Sequence, residues 1–190
     1  ILPLSKNTKK IAVIGPNGAG KPPLLRIIAN LLDADCGTVK LFDQILNGAS
    51  NLRSNIGYVS NDERSFFWRL TGKQNLEFFA KLYGISNSAA HARIDVLLNW
   101  FDLNKKSNEP FSNYSNGTKK KFSIVRALIH QPKILLLDEV TNSLDPISAE
   151  NVKILVREYV TQQKGICALW STHRFEEVCE ICDKILVLYN

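Results

Sequence analysis

One junction constrains this chain more than any other feature: a glycine-rich loop held between a strand-like run and a helix-like run. Residues 10–14 form a short β-branched run, Gly15-Pro16-Asn17-Gly18-Ala19-Gly20-Lys21 follows, and residues 24–32 then repeat apolar side chains at helical spacing. The loop fills the first seven positions of the pattern G-x-x-x-x-G-K-[ST], in the strand-to-helix setting that the pattern needs. Glycines let consecutive backbone N–H groups curl around phosphate oxygens, Lys21 adds a positive charge, and the following helix presents the positive end of its dipole. Residues 15–21 are therefore candidate nucleotide-phosphate ligands. A glycine turn that merely joins strand to helix is the alternative.

The eighth position breaks the pattern. Where a hydroxyl would hold magnesium stands Pro22, and Pro23 follows. Proline offers no hydroxyl, removes two N–H donors that would face phosphate, and biases Lys21 and Pro22 away from helical angles. Two lost charge-assisted hydrogen bonds, at about 1.5–3 kcal/mol each, correspond to roughly two to four powers of ten in nucleotide affinity. A weak ATP binder and a poor ATPase is expected, with the fold intact because proline is tolerated in the first turn of a helix.

Further strand-like runs fall at residues 38–42, 56–60, 134–138, 166–171 and 184–188, and helical patterns separate several of them. The stripe Val152, Leu155, Val156 and Val160 suits a helix lying on a sheet. Such alternation predicts an α/β fold with a largely parallel sheet. Between Asp62 and Tyr114 the pattern turns helical, notably over residues 75–83 and 89–101, which reads as an inserted helical subdomain. With 190 residues the chain supports one domain, a core of about 1–61 and 115–190 with a subdomain of about 62–114. The apolar runs are strand-length, far short of the roughly 20 residues needed to cross a bilayer. No secretory signal is visible, so the four cysteines read as reduced thiols.

A charge of +6 favours anionic company without choosing it. The clusters Lys9-Lys10, Lys105-Lys106 and Lys119 to Lys121 are short and lack stacking aromatics, so they read as solvated faces and no nucleic-acid partner is expected. Cys179 and Cys182 form a C-x-x-C without a second ligand pair. Phe175, Val178, Cys179 and Cys182 fit one helical face, where cysteine packs as a small hydrophobe.

A second constellation pairs with the loop. The run Ile134-Leu135-Leu136-Leu137 ends in Asp138 and Glu139. Such a pair divides labour at a phosphate, with Asp138 holding magnesium and Glu139 orienting and polarising the attacking water. A solvated strand end is the alternative reading.

With these two constellations in place, nearly the whole chain resembles the ATP-binding domains of ABC transporters. Tyr114-Ser115-Asn116-Gly117-Thr118 resembles the family's signature segment, usually Leu-Ser-Gly-Gly-Gln, with Ser115 and Gly117 matching and Asn116 and Thr118 departing. Ser143-Leu144-Asp145 resembles the D-loop, and His173 the switch histidine that contacts the γ-phosphate. Asn61 stands where the family's magnesium-binding Q-loop glutamine is expected, with Asp62 and Glu63 beside it. The aromatic cluster Phe66-Phe67-Trp68 falls where the family's layout receives the membrane subunit, and packing within the subdomain is the alternative. The family's adenine-stacking aromatic has no counterpart in residues 1–10. The chain begins at Ile1 and has no methionine, which points to truncation at its start.

The resemblance implies a P-loop NTPase core binding ATP and Mg2+. Glu139 and His173 are the expected catalytic residues. Gly15, Pro16, Asn17, Gly18, Ala19, Gly20, Lys21, Ser115, Gly117 and Asp145 are the expected nucleotide-binding residues, and Asp138 and Asn61 the expected metal ligands. It further implies a head-to-tail dimer with a second nucleotide-binding domain, identical or not, and a transmembrane permease subunit. That places the chain on the cytoplasmic face of the cell membrane. Residues 70–83 most resemble the ATPase subunits of bacterial exporters. The rival readings are a catalytically degenerate module that still dimerises and docks, and a soluble ABC ATPase outside transport.

Overall fold

Near-continuous apolar runs such as Ile134 to Leu137 demand a sheet covered on both faces. A computed structural model describes residues 9–41, 44–45, 50–60 and 65–189 and contains such a sheet. In chain order its elements are β1 (Lys10–Ile14), α1 (Lys21–Ile28), β2 (Lys40–Leu41), β3 (Gln44–Ile45), α2 (Ser50–Arg53) and β4 (Ile56–Val59). Then come α3 (Gly72–Leu82), α4 (Asn87–Trp100), α5 (Asn116–Leu128), β5 (Ile134–Asp138), α6 (Pro146–Gln162), β6 (Cys167–Ser171), α7 (Phe175–Ile181) and β7 (Lys184–Val187). Five strands lie in the order β4-β5-β6-β1-β7, and every neighbouring pair is parallel. β2 and β3 pair antiparallel as a separate ribbon, so the described part of the strand expected at 38–42 does not join the main sheet.

Successive side chains on a strand point to opposite faces. Leu135, Leu137, Ala168 and Trp170 meet the packed side chains of α3 to α6, while Ile134, Leu136 and Leu169 turn the other way, onto Leu25 and Ala29 of α1 and its flank. Among the described residues between β4 and β5 there is no strand, only helices, two 3-10 turns and an isolated bridge from Thr71 to Pro110. α3 packs on α4 and α5, and both α3 and α4 share one core with the sheet.

Element ends depart from the periodicity for local reasons. α3 begins at Gly72 rather than 75 because Thr71 and Gln74 close a capping box, each side chain bonding the other's backbone N–H. α6 begins at Pro146 because Asp145 caps it, accepting from Ser148 N at 2.9 Å. α1 begins at Lys21, so Lys21 and Pro22 take helical angles after all. The first intrahelical bond runs from Leu24 N to Gly20 O at 2.9 Å, and no earlier residue of the helix needs an N–H. Past its end, Asn30 takes φ 55°, which stops the helix short of residue 32.

Two sequence expectations fail on burial. Lys119 to Lys121 is not a solvated face: Lys120 is wholly buried and donates through Nζ to Ser60 O at 3.3 Å. On α7, Val178 and Ile181 are buried, whereas Phe175 and Cys179 are exposed. The C-x-x-C thus straddles the helix surface and its end rather than filling one apolar face.

Candidate functional site

In a parallel sheet, the crevice outside the carboxyl ends of the strands is where ligands sit. β1, β6 and β5 end there side by side: Val13 pairs with Ser171, and Ser171 pairs with Asp138. β6 alone separates β1 from β5, so the loop after β1 and the acids after β5 stand about 10 Å apart, two strand spacings.

Gly18 and Gly20 both take φ 86°, the left-handed region that glycine enters freely. Gly15 is needed for another reason, since an added Cβ there would meet Leu188 O at 2.6 Å. Ala19 N turns back to Pro16 O at 3.2 Å. The amides of Asn17, Gly18, Gly20 and Lys21 bond to no other described residue and form a cradle of open donors. Lys21 is buried, and its Nζ donates to Gly15 O at 2.8 Å and Pro16 O at 3.1 Å. The cation thus folds back over its own loop.

The second acid cluster is tightly partnered. Asp138 is buried, accepting from Ser171 Oγ at 2.8 Å and from the Tyr58 hydroxyl at 3.0 Å. Burial, and then the neighbouring Asp138 carboxylate, push the Tyr58 phenol up to about 12. Glu139 turns out of the strand with φ 48°, a conformation costly for a residue with a side chain. Its amide donates to Ser171 Oγ at 3.0 Å and Ser171 O at 3.2 Å, which holds that turn in place. Asn142 Nδ2 donates to Glu139 Oε2 at 2.5 Å, and His173 Nδ1 lies 3.7 Å from Glu139 Oε1.

The structure therefore brings together residues 15–21, Asp138, Glu139 and His173. Ser115, Gly117 and Asp145 form a separate group at the start of α5 and α6. Ser115 caps α5, accepting from Thr118 N at 3.3 Å, and a Cβ on Gly117 would meet Ser148 Oγ at 2.8 Å. Hydrogen bonds from Ser148, the hydroxyl first and then the amide, hold the exposed Asp145 carboxyl below its ordinary range. Among the described residues, no hydrogen bond or ion pair joins this group to residues 15–21. Asn61 lies outside the described residues.

Sequence reasoning missed Tyr58 and Ser171 as partners of Asp138, and Asn142 as a partner of Glu139. Ser171 carried a faint signal, since it ends the strand two residues before His173. Tyr58 carried none, because only strand pairing brings it within reach.

The family model described as "ABC transporter" matches residues 5–142. The chain belongs to the ABC transporter family. It is an ATP-binding domain of that family, with the parallel five-stranded P-loop core. It is 36% identical over 182 residues to the ABC transporter ATP-binding protein NatA of Bacillus subtilis, covering 95% of this chain and 73% of that protein. It is 34% identical to the daunorubicin resistance ATP-binding protein DrrA3 of Streptomyces coeruleorubidus, covering 93% of this chain. The chain spans only 55% of DrrA3. The structure of cbiO1 from Clostridium perfringens, described as part of the ABC transporter complex cbiONQ, matches with a TM-score of 0.85 at 26% identity. That match covers 95% of this chain and 73% of cbiO1.

Proposed function

We propose that this chain is the nucleotide-binding motor of a bacterial export system, holding ATP on residues 15–21 and cleaving it beside Glu139 and His173. The observation that carries the reading is the shared edge, where the open amides of the loop and the two acids line one crevice. Lys21 exchanges the carbonyls of Gly15 and Pro16 for phosphate oxygens. Glu139 takes a proton from the attacking water, and His173 holds that water toward the terminal phosphate.

Magnesium, when bound, would neutralise charge on the transferred phosphate. Asp138 suits it as a ligand, its oxygens already oriented by Ser171 and Tyr58. Pro22 offers no hydroxyl, so the donor set is one short. The same prolines leave the first turn of α1 without two of its free N–H groups. Weak nucleotide affinity and low turnover follow.

The finer assignments are of one piece with this reading. Ser115 and Gly117 cap the terminal phosphate held by a second, head-to-tail copy or homologue, and Asp145 lies in the loop that joins the two sites. The core of about 1–61 and 115–190 carries the chemistry, and the subdomain of about 62–114 meets a transmembrane permease at the cytoplasmic face of the membrane. A cleft of about 490 Å³ at the seam between the subdomain's Phe79, Leu82 and Tyr83 and the core's Arg53, Tyr58 and Arg126 supports docking at that seam. The exposed rings of Phe67, Trp68 and Phe78 lie on the same subdomain. Export, rather than uptake, is supported by the drug-resistance relative.

Isothermal titration with ATP and magnesium tests the reading on the chain and on Pro22→Ser/Pro23→Thr. The paired substitution is expected to tighten binding by about two to four powers of ten and to raise turnover. Micromolar binding by the unaltered chain would overturn the impaired loop. Pro22 also favours a second reading, a degenerate module that docks without hydrolysis; absence of turnover in the restored variant would select it.

A further inference from the structure

We infer that Glu177 is a positioning residue that locks the loop carrying Glu139 to the loop carrying His173. The inference rests on the catalytic reading of those two residues. Glu177 lies on α7 and is only 3% exposed. A carboxylate so far from water must be matched by donors. Its donors come from two different loops: Thr141 Oγ1 donates to Oε1 at 2.7 Å, and Thr172 Oγ1 donates to Oε2 at 2.8 Å. Both threonines are buried.

Each threonine sits close to a reacting group. Thr141 lies two residues past Glu139, in a turn closed by Asn142 N to Glu139 O at 3.2 Å and Leu144 N to Thr141 O at 3.2 Å. Thr172 precedes His173, and its hydroxyl also accepts from Arg174 N at 3.0 Å. His173 is therefore gripped on both sides by groups tied to one carboxylate. Arg174 Nη1 stands 3.7 Å from Glu177 Oε1 at the exposed rim of the clamp. The 3.7 Å approach of His173 to Glu139 is the distance this clamp sets. Among the described residues no other side chain of α7 bonds Glu177, so the buried acid ties each loop to α7 and, through it, the two loops to each other.

Amide hydrogen exchange on the full chain tests the clamp without nucleotide. Thr141→Val alters the loop after β5, yet it is expected to speed exchange of the Arg174 amide, after β6, by about tenfold or more. Strand amides of β1 and β5 keep their protection. Arg174 exchange within about twofold of the parent would overturn the clamp. Glu177→Gln is measured beside it and is expected to loosen Arg174 as well, so the test survives if Glu177→Ala does not fold.

A second arm uses Pro22→Ser/Pro23→Thr as parent. There Thr141→Val and Glu177→Gln are expected to lower kcat about tenfold with the KM for ATP within about twofold, a split that general destabilisation does not produce. An unchanged kcat would overturn the clamp. Glu139→Gln in the same parent reports on the catalytic reading itself: if turnover survives it, that reading fails. If the parent does not turn over, the Arg174 exchange decides.

Discussion

At Glu139 the backbone leaves β5 with φ 48°, and the two bonds from its amide to Ser171 offset a conformational cost of about 1–3 kcal/mol. The acids themselves were legible in the sequence only because the glycine loop stands upstream, since an apolar run stopping at two carboxylates is on its own more often a solvated strand end. Their partners were not. Tyr58 is 80 residues from Asp138, Ser171 is 33 away, and Glu177 is 36 from Thr141, so only strand order brings them together. His130 shows how such placement becomes measurable. Its ring stacks on Tyr83, and burial first, with Arg93 adding to it, holds its pKa below the ordinary 6.5 despite the bond to Ile56 O. Below about pH 6.5 the unfolded chain therefore binds a proton that the folded chain refuses, and acid favours unfolding. The stability advantage of the parent over His130→Phe should be full above about pH 6.5 and shrink toward pH 5, as read from urea midpoints.

Helix starts were harder to read than helix existence. Apolar spacing predicted α3 from 75, but its first turn is set by Thr71 and Gln74, a polar signature that periodicity does not register. Gly72 in that turn is held by close approach: a Cβ there would stand 2.3 Å from the Phe122 ring and 2.6 Å from the Tyr114 hydroxyl. That hydroxyl accepts from Gly72 N at 3.2 Å and faces the carbonyls of Lys106 and Glu109. Gly72→Ala should therefore destabilise by about 1–3 kcal/mol through overpacking, lowering the denaturation midpoint. Gly84→Ala makes a contrasting control, since its neighbourhood is open and only its φ of 71° resists. In α1 the expectation ran the other way, and the prolines expected to distort the loop sit in a first turn that asks nothing of their nitrogens.

Across the whole molecule, alternation announced a parallel sheet but not the order of its strands. Nothing in the runs at 134–138 and 166–171 says that β6 lies between β1 and β5, because both runs are apolar enough for any central place in the sheet. The proposed pairing of two domains is likewise a property of the assembled surface. In Pro22→Ser/Pro23→Thr/Glu139→Gln, where nucleotide stays uncleaved, ATP should shift sedimentation from one chain to two, and Ser115→Arg should abolish the shift. β6 has one further consequence. Its last residue and the one just past it bond to both neighbours, Ser171 Oγ to Asp138 Oδ1 at 2.8 Å and Thr172 N to Val13 O at 3.2 Å. The sheet thereby acts as a ruler: loops on either bank can change in composition, and the mouth between them keeps the span of two strand spacings.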